Sequence, residues 1–157
     1  MITRRDKRFF NAAAHMANLA TYKRQKVGCV IVYHNKIIST GCNKDQTHPL
    51  QKTYNEARQI PDWSPHKLHA ETDAIRHIID LDIDWRKVSV YIYRKLKDRP
   101  FGMAKPCNSC MKLIKDLGIR HVYYTGDDGY VYEYIEWNNR RDYIPPVIFY
   151  SFNLHNP

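Results

Sequence analysis

The sequence predicts an α/β domain of three layers, α-β-α, around a mixed five-stranded sheet that ends in an antiparallel hairpin. Three observations carry this. Apolar residues recur in the order helix, two strands, helix, strand, helix, two strands, switching between helical spacing and short β-branched runs. The first two strands are joined by only His34-Asn35 and the last two by only Thr125-Gly126-Asp127-Asp128-Gly129, too few residues for a parallel crossover. With 157 residues, 43% of them hydrophobic and 13% aromatic, the chain cannot be disordered. Residues 1–157 are expected to form one domain with a proper core.

Each element has a local reason. Thr3-Arg4-Arg5-Asp6 reads as a capping box with Asp in the acidic position, and Phe9, Ala13, Met16, Ala17 and Ala20 follow at helical spacing. The first helix is therefore expected to run to about Thr21. Val27 to Tyr33 is an apolar strand, Asn35 tolerates the left-handed turn after it, and Lys36 to Asn43 returns antiparallel. Lys44 to His66 carries Pro49, Pro61 and Pro65 without sustained periodicity, and is expected to be a long functional loop placed as a lid. Ala70, Ala74, Ile75 and Ile78 support a helix from about His69 to Ile79, and Val88 to Tyr93 is the next strand.

Beyond it lies a basic loop, with Arg94, Lys95, Lys97, Arg99 and Lys105 set against Asp98. It reads either as a solvated surface loop or as a phosphate-binding one. Cys110, Leu113, Ile114 and Leu117 then form a helical stripe that Gly118 should stop. Ile119 to Tyr124 and Tyr130 to Trp137 are the closing strands, and Val147 to Tyr150 is an apolar patch that covers the core or meets a partner subunit.

The chemistry concentrates in two segments. His69-Ala70-Glu71 offers one imidazole and one carboxylate, and Pro106-Cys107-Asn108-Ser109-Cys110 offers two thiols. Three ligands leave a fourth position open, which distinguishes a catalytic zinc site from a closed structural one. Cys107 and Cys110 share one face at a helix start, where the positive end of the macrodipole favours thiolates. His69 and Glu71 point roughly 200° apart around a helix, so they can converge only if the helix meets the metal end-on. Glu71 then reads as a proton shuttle and not a ligand. A Cys-x-x-Cys pair alone is equally at home in redox or structural sites, so the weight rests on the combination.

Cys29 and Cys42 sit in apolar strands and read as core residues, which points to a reducing compartment. The first residues lack an apolar signal region and no stretch is long enough to span a membrane, so a cytoplasmic location is expected. The net charge of +9, from 25 Lys and Arg against 16 Asp and Glu, suits an anionic partner such as a phosphate or polynucleotide, or simple solubility.

With these residues placed, the chain resembles the cytidine/deoxycytidylate deaminase superfamily over about Phe9 to Tyr124. The likeness rests on Val27-Gly28-Cys29-Val30-Ile31, Ile38-Ser39-Thr40-Gly41-Cys42-Asn43 and the two zinc segments, whose His-x-Glu and Pro-Cys-x-x-Cys pattern marks zinc-dependent nucleobase deaminases. It implies a zinc ion held by His69, Cys107 and Cys110, proton transfer by Glu71, a sugar or phosphate contact from Asn43, and the Ala70 N–H beside the base. It departs from deoxycytidylate deaminases in the inserted basic loop and the final hairpin, and from nucleoside cytidine deaminases in having His69 where they use Cys. The expectation is a hydrolytic deaminase of a cytosine nucleotide or nucleoside, with dCMP to dUMP the best single reaction. The basic loop (Arg94, Lys95, Lys97, Arg99, Lys105) would be its phosphate site, and a homo-oligomer is expected. The alternative is a polynucleotide-editing enzyme acting on tRNA or single-stranded DNA, its aromatics stacking bases.

Overall fold

The structure, a computed structural model, describes residues 1–57 and 66–136. Helix α1 (Arg4–Ala17) begins at the expected capping box, with the Thr3 hydroxyl accepting the Asp6 N–H and the Asp6 carboxylate accepting the Thr3 N–H. It ends three residues earlier than Ala20, the last periodic residue, which closes a looser turn by donating to the Ala17 carbonyl at 3.2 Å. Strands β1 (Lys26–Tyr33) and β2 (Lys36–Cys42) pair antiparallel across His34 and Asn35, both left-handed at φ 49° and 61°.

The segment expected to be a lid is built differently. It contains strand β3 (Lys44–Thr47) and helix α2 (Pro49–Ala57), and β3 pairs with the short strand β4 (Lys67–Leu68). Pro49 starts the helix instead of breaking structure, since a first helical residue needs no N–H partner. Leu50 and Tyr54 of α2 are buried in the core beneath the site. The Pro61 and Pro65 part of the expected lid lies outside the described residues, as do Trp137 and the apolar patch Val147 to Tyr150.

Helix α3 (Ala70–Arg76) is shorter than expected, and a 3-10 turn (Trp85–Lys87) leads into β5 (Ser89–Lys95). Helix α4 (Asn108–Leu117) stops at Gly118, left-handed at φ 97°, as a glycine cap should. Strands β6 (His121–Thr125) and β7 (Tyr130–Tyr134) close the chain's sheet.

The sheet order is β2-β1-β5-β6-β7, with β5 and β6 parallel and every other neighbouring pair antiparallel, including the final hairpin. Central strands buried on both faces make the layers. Cys29 and Ile31 of β1 and Val90 and Ile92 of β5 pack in the cluster that includes α3 and α4 residues. Val30, Val32 and Tyr91 pack instead with Phe9, Phe10 and Ala13 of α1. Tyr91 donates to the buried Asp6 carboxylate at 2.7 Å, so the capping residue of α1 also ties it to the sheet.

Two glycines permit the close approach of helix to strand. A Cβ on Gly28 would collide with the Ala13 carbonyl of α1, and one on Gly41 with the Ala74 N of α3. Gly41 therefore sets how near α3 lies to β2. Among the described residues no helix is long and apolar enough to cross a membrane.

Candidate metal centre

His69 is not in a helix: it is the residue before α3, extended at φ −81° and ψ 156°. This resolves the angular conflict between His69 and Glu71, because the imidazole leaves from extended backbone while Glu71 leaves from the first turn. Cys107 holds the same position before α4, at φ −65° and ψ 168°, and Cys110 follows in its first turn. The two helix starts meet at one cavity, which Val27 of β1, Arg94 of β5 and Asn43, the residue after β2, also line.

His69 Nδ1 lies 3.4 Å from Cys107 Sγ and 3.3 Å from Cys110 Sγ, and all three ligand atoms fall within 4.8 Å of one another. Tetrahedral zinc with its usual bond lengths would separate N from S by about 3.6 Å. The donor set, one imidazole and two thiols, is also a zinc set, so the residues fit the metal. Thr72, buried in α3, lies 3.7 Å from Cys110 Sγ.

The electrostatics suit the same ion. The hydrogen bond from Cys110 holds the Cys107 thiol well below its ordinary range against the opposing effect of burial, with His69 assisting. That same bond, together with burial, pushes Cys110 up. Metal binding requires both thiols in the thiolate form, so taking up a cation here would release protons. Glu71 is 6% exposed, and burial raises its carboxyl above the usual value, with the neighbouring Cys107 adding to the shift and His69 opposing it.

A cavity of about 390 Å³ opens onto this cluster, and His69, Ala70, Glu71 and Cys107 all line it. Asn43 lines it too, but its amide already accepts the Val27 N–H at 2.9 Å and donates to the Gln25 carbonyl at 2.8 Å. One lone pair and one N–H remain for a ligand.

The basic loop divides. Its ends are pinned together, with Gly102 N–H donating to the Arg94 carbonyl at 3.0 Å, Thr125 Oγ1 donating to the Gly102 carbonyl at 2.7 Å, and Ala104 N–H donating to the Thr125 carbonyl at 2.8 Å. Arg94 and Lys105 stand at this stem and line the cavity. Lys95, Lys97 and Arg99 do not: Lys95 bonds Asn18 at 2.6 Å, and Lys97 and Arg99 lie exposed on the excursion. Of the five basic residues expected at one site, Arg94 and Lys105 line this cavity, and Lys95, Lys97 and Arg99 are not among its lining residues. Among the described residues, Arg94 Nε is buried without a hydrogen-bond partner.

Sequence reasoning missed Lys67 and Tyr22 on the cavity wall, and Gln51 and Asn55 behind the site. Lys67 sits two residues before a ligand, a signal available in the sequence. The others come from elements whose placement no local pattern reveals.

A protein-family model described as "Cytidine and deoxycytidylate deaminase zinc-binding region" matches residues 3–126. ComE operon protein 2 of Bacillus subtilis (strain 168) is 27% identical over 120 residues, 76% of this chain and 58% of that protein. The chain thus spans little more than half the length of this curated relative. The dCMP deaminase of cyanophage S-TIM5, solved in complex with dCMP and dUMP, aligns with a TM-score of 0.57 at 20% identity over 81% of this chain and 85% of its own. Cytidine deaminase from Burkholderia pseudomallei aligns with a TM-score of 0.57 at 18% identity, over 82% and 91%. These two share the α/β fold with its mixed sheet. By its sequence match over most of its length, the chain belongs to the cytidine and deoxycytidylate deaminase zinc-binding family.

Proposed function

We propose that this protein is a zinc-dependent hydrolytic deaminase of a free cytosine nucleotide, with dCMP to dUMP its best single reaction. The observation that carries this is one cavity lined by His69, Cys107 and the buried carboxyl of Glu71, with the cations Arg94, Lys105 and Lys67 on its wall. His69, Cys107 and Cys110 would hold zinc, whose Lewis acidity brings a water's pKa down to about 7.

The protein's own residues do the rest. Glu71 is set to take a proton from the attacking water, deliver it to the ring nitrogen, and pass a proton to the amine that leaves as ammonia. Its raised carboxyl fits a group that must both accept and give a proton near neutral pH. The Ala70 N–H and the remaining capacity of the Asn43 amide would orient base and sugar. Arg94 and Lys105 would offset the lost hydration of a phosphate through charge-assisted hydrogen bonds.

The test is ammonia release by purified zinc-loaded protein from dCMP, cytidine, deoxycytidine, single-stranded DNA and tRNA. Turnover of dCMP well above deoxycytidine is expected. Activity confined to the polynucleotides, falling steeply with salt, would replace this reading with the editing one.

A further inference from the structure

Behind the metal cluster lies a line of buried polar side chains that touches neither the cavity nor the ligand atoms. Gln51 is 0% exposed, Asn55 3% and Ser109 0%. Each bond has a clear direction. The His69 backbone N–H donates to Gln51 Oε1 at 3.0 Å, Gln51 Nε2 donates to Asn55 Oδ1 at 3.0 Å, and Ser109 Oγ donates to the same Asn55 oxygen at 2.8 Å. A backbone N–H can only donate, so it fixes the Gln51 amide orientation, and that in turn fixes Asn55. Asn55 Nδ2 also meets His66 Nδ1 at 3.1 Å, holding the segment that leads into the histidine ligand.

The ends of this line are the informative part. One is the backbone of His69; the other is Ser109, next to Cys110. These segments lie 38 to 41 residues apart, and neither helix start caps itself with a side chain. Apolar side chains at the three positions would fill the same space, though they would take the acceptor from the His69 N–H. What they could not do is register one ligand segment against the other. Because each amide offers a single geometry, a displacement of either segment breaks a buried hydrogen bond and leaves its groups unpaired.

We infer that Gln51, Asn55 and Ser109 are positioning residues for the metal centre: α2 is a brace that sets the distance between the histidine and cysteine ligands. This rests on the assignment of His69, Cys107 and Cys110 as the metal ligands. Such outer partners typically alter affinity by ~10–100-fold.

The experiment measures zinc affinity by chelator competition, the visible spectrum of the cobalt(II)-loaded protein, and Tm, for wild type, Asn55→Leu, Asn55→Asp and Tyr54→Phe. Asn55→Leu strands the Gln51 and Ser109 donors; Asn55→Asp keeps an oxygen for both. Tyr54→Phe is the structural control on the same helix: it removes a 2.8 Å bond to Asp116 in the last turn of α4, at the end of that helix away from Cys107 and Cys110. Asn55→Leu should weaken zinc by ~10–100-fold and shift the cobalt bands. Asn55→Asp should restore both, and Tyr54→Phe should lower Tm with affinity unchanged. Wild-type affinity and spectrum in Asn55→Leu would overturn the inference, as would an equal affinity loss in Tyr54→Phe at matched Tm. If Asn55→Leu fails to fold, Ser109→Ala is decisive in the same way: weaker zinc with shifted bands supports the brace, and no change overturns it. A wild-type protein that binds no zinc would instead sink the ligand assignment, a separate result.

Discussion

His69 Nδ1 stands 3.3 Å from Cys110 Sγ, although 41 residues separate them in the chain. With Cys107 Sγ at 3.4 Å from the same nitrogen, the three atoms outline one face of a tetrahedron. Wild-type protein is therefore expected to carry one zinc per chain, and Cys107→Ala to lose it. Metal analysis after dialysis decides; full zinc content in Cys107→Ala would remove that residue from the ligand set.

Glu71→Gln keeps the size and polarity of the side chain while removing its capacity to carry a proton. Zinc content and Tm should hold, and kcat should fall at least the ~10²–10⁴-fold associated with general acid–base catalysis. Near-normal turnover would give the proton role to another group.

Arg94 and Lys105 sit at the stem of the basic loop and on the cavity wall, whereas Lys97 and Arg99 are carried outward. Neutralising the first pair with glutamine should raise KM for dCMP far more than for deoxycytidine. Neutralising the second pair should change neither. Steady-state kinetics on both substrates checks this, and equal losses on the two would end the phosphate assignment.

Asp73 is a structural carboxylate. Burial pushes its carboxyl up, but Lys44, the Cys42 N–H and Arg76 together hold it below the ordinary value of 3.8. They do so at 2.9 Å, 3.0 Å and 2.8 Å. A depressed native pKa gives stability that is present above the unfolded value and is lost as pH falls through the folded one. Asp73→Asn should thus cost roughly 1.5–3 kcal/mol at neutral pH, as for hydrogen bonds to a charged group. The gap to wild type should close as pH drops below 3.8. Denaturant titrations across that range test it; a gap independent of pH would rule out the charged network as its source.

Gly41→Ala forces a Cβ into the backbone of α3 at Ala74. Overpacking of this kind costs typically ~1–3 kcal/mol, and the helix it displaces begins next to His69. Both Tm and zinc affinity are expected to fall. A Tm unchanged by the substitution would show that α3 can retreat without loss.

The sequence by itself determined whatever depends on local chemistry. The capping box at Thr3 and Asp6, the left-handed turn at His34 and Asn35, the stop at Gly118 and the final hairpin all follow from what a few adjacent residues permit. The grouping of His69, Cys107 and Cys110 was legible for a related reason, since the residue types and their short internal spacings carry the ligand chemistry. Helix α2 was not legible: Pro49 reads as a breaker out of context, and the buried face of the helix includes Gln51 and Asn55, which disguise its apolar stripe. Nor could the sequence divide the basic loop, because five cations in a row look alike until Gly102 and Thr125 pin its stem. Those outcomes belong to the tertiary structure. A polar side chain is solvated or buried, and a loop residue faces inward or outward, according to partners far away in the chain.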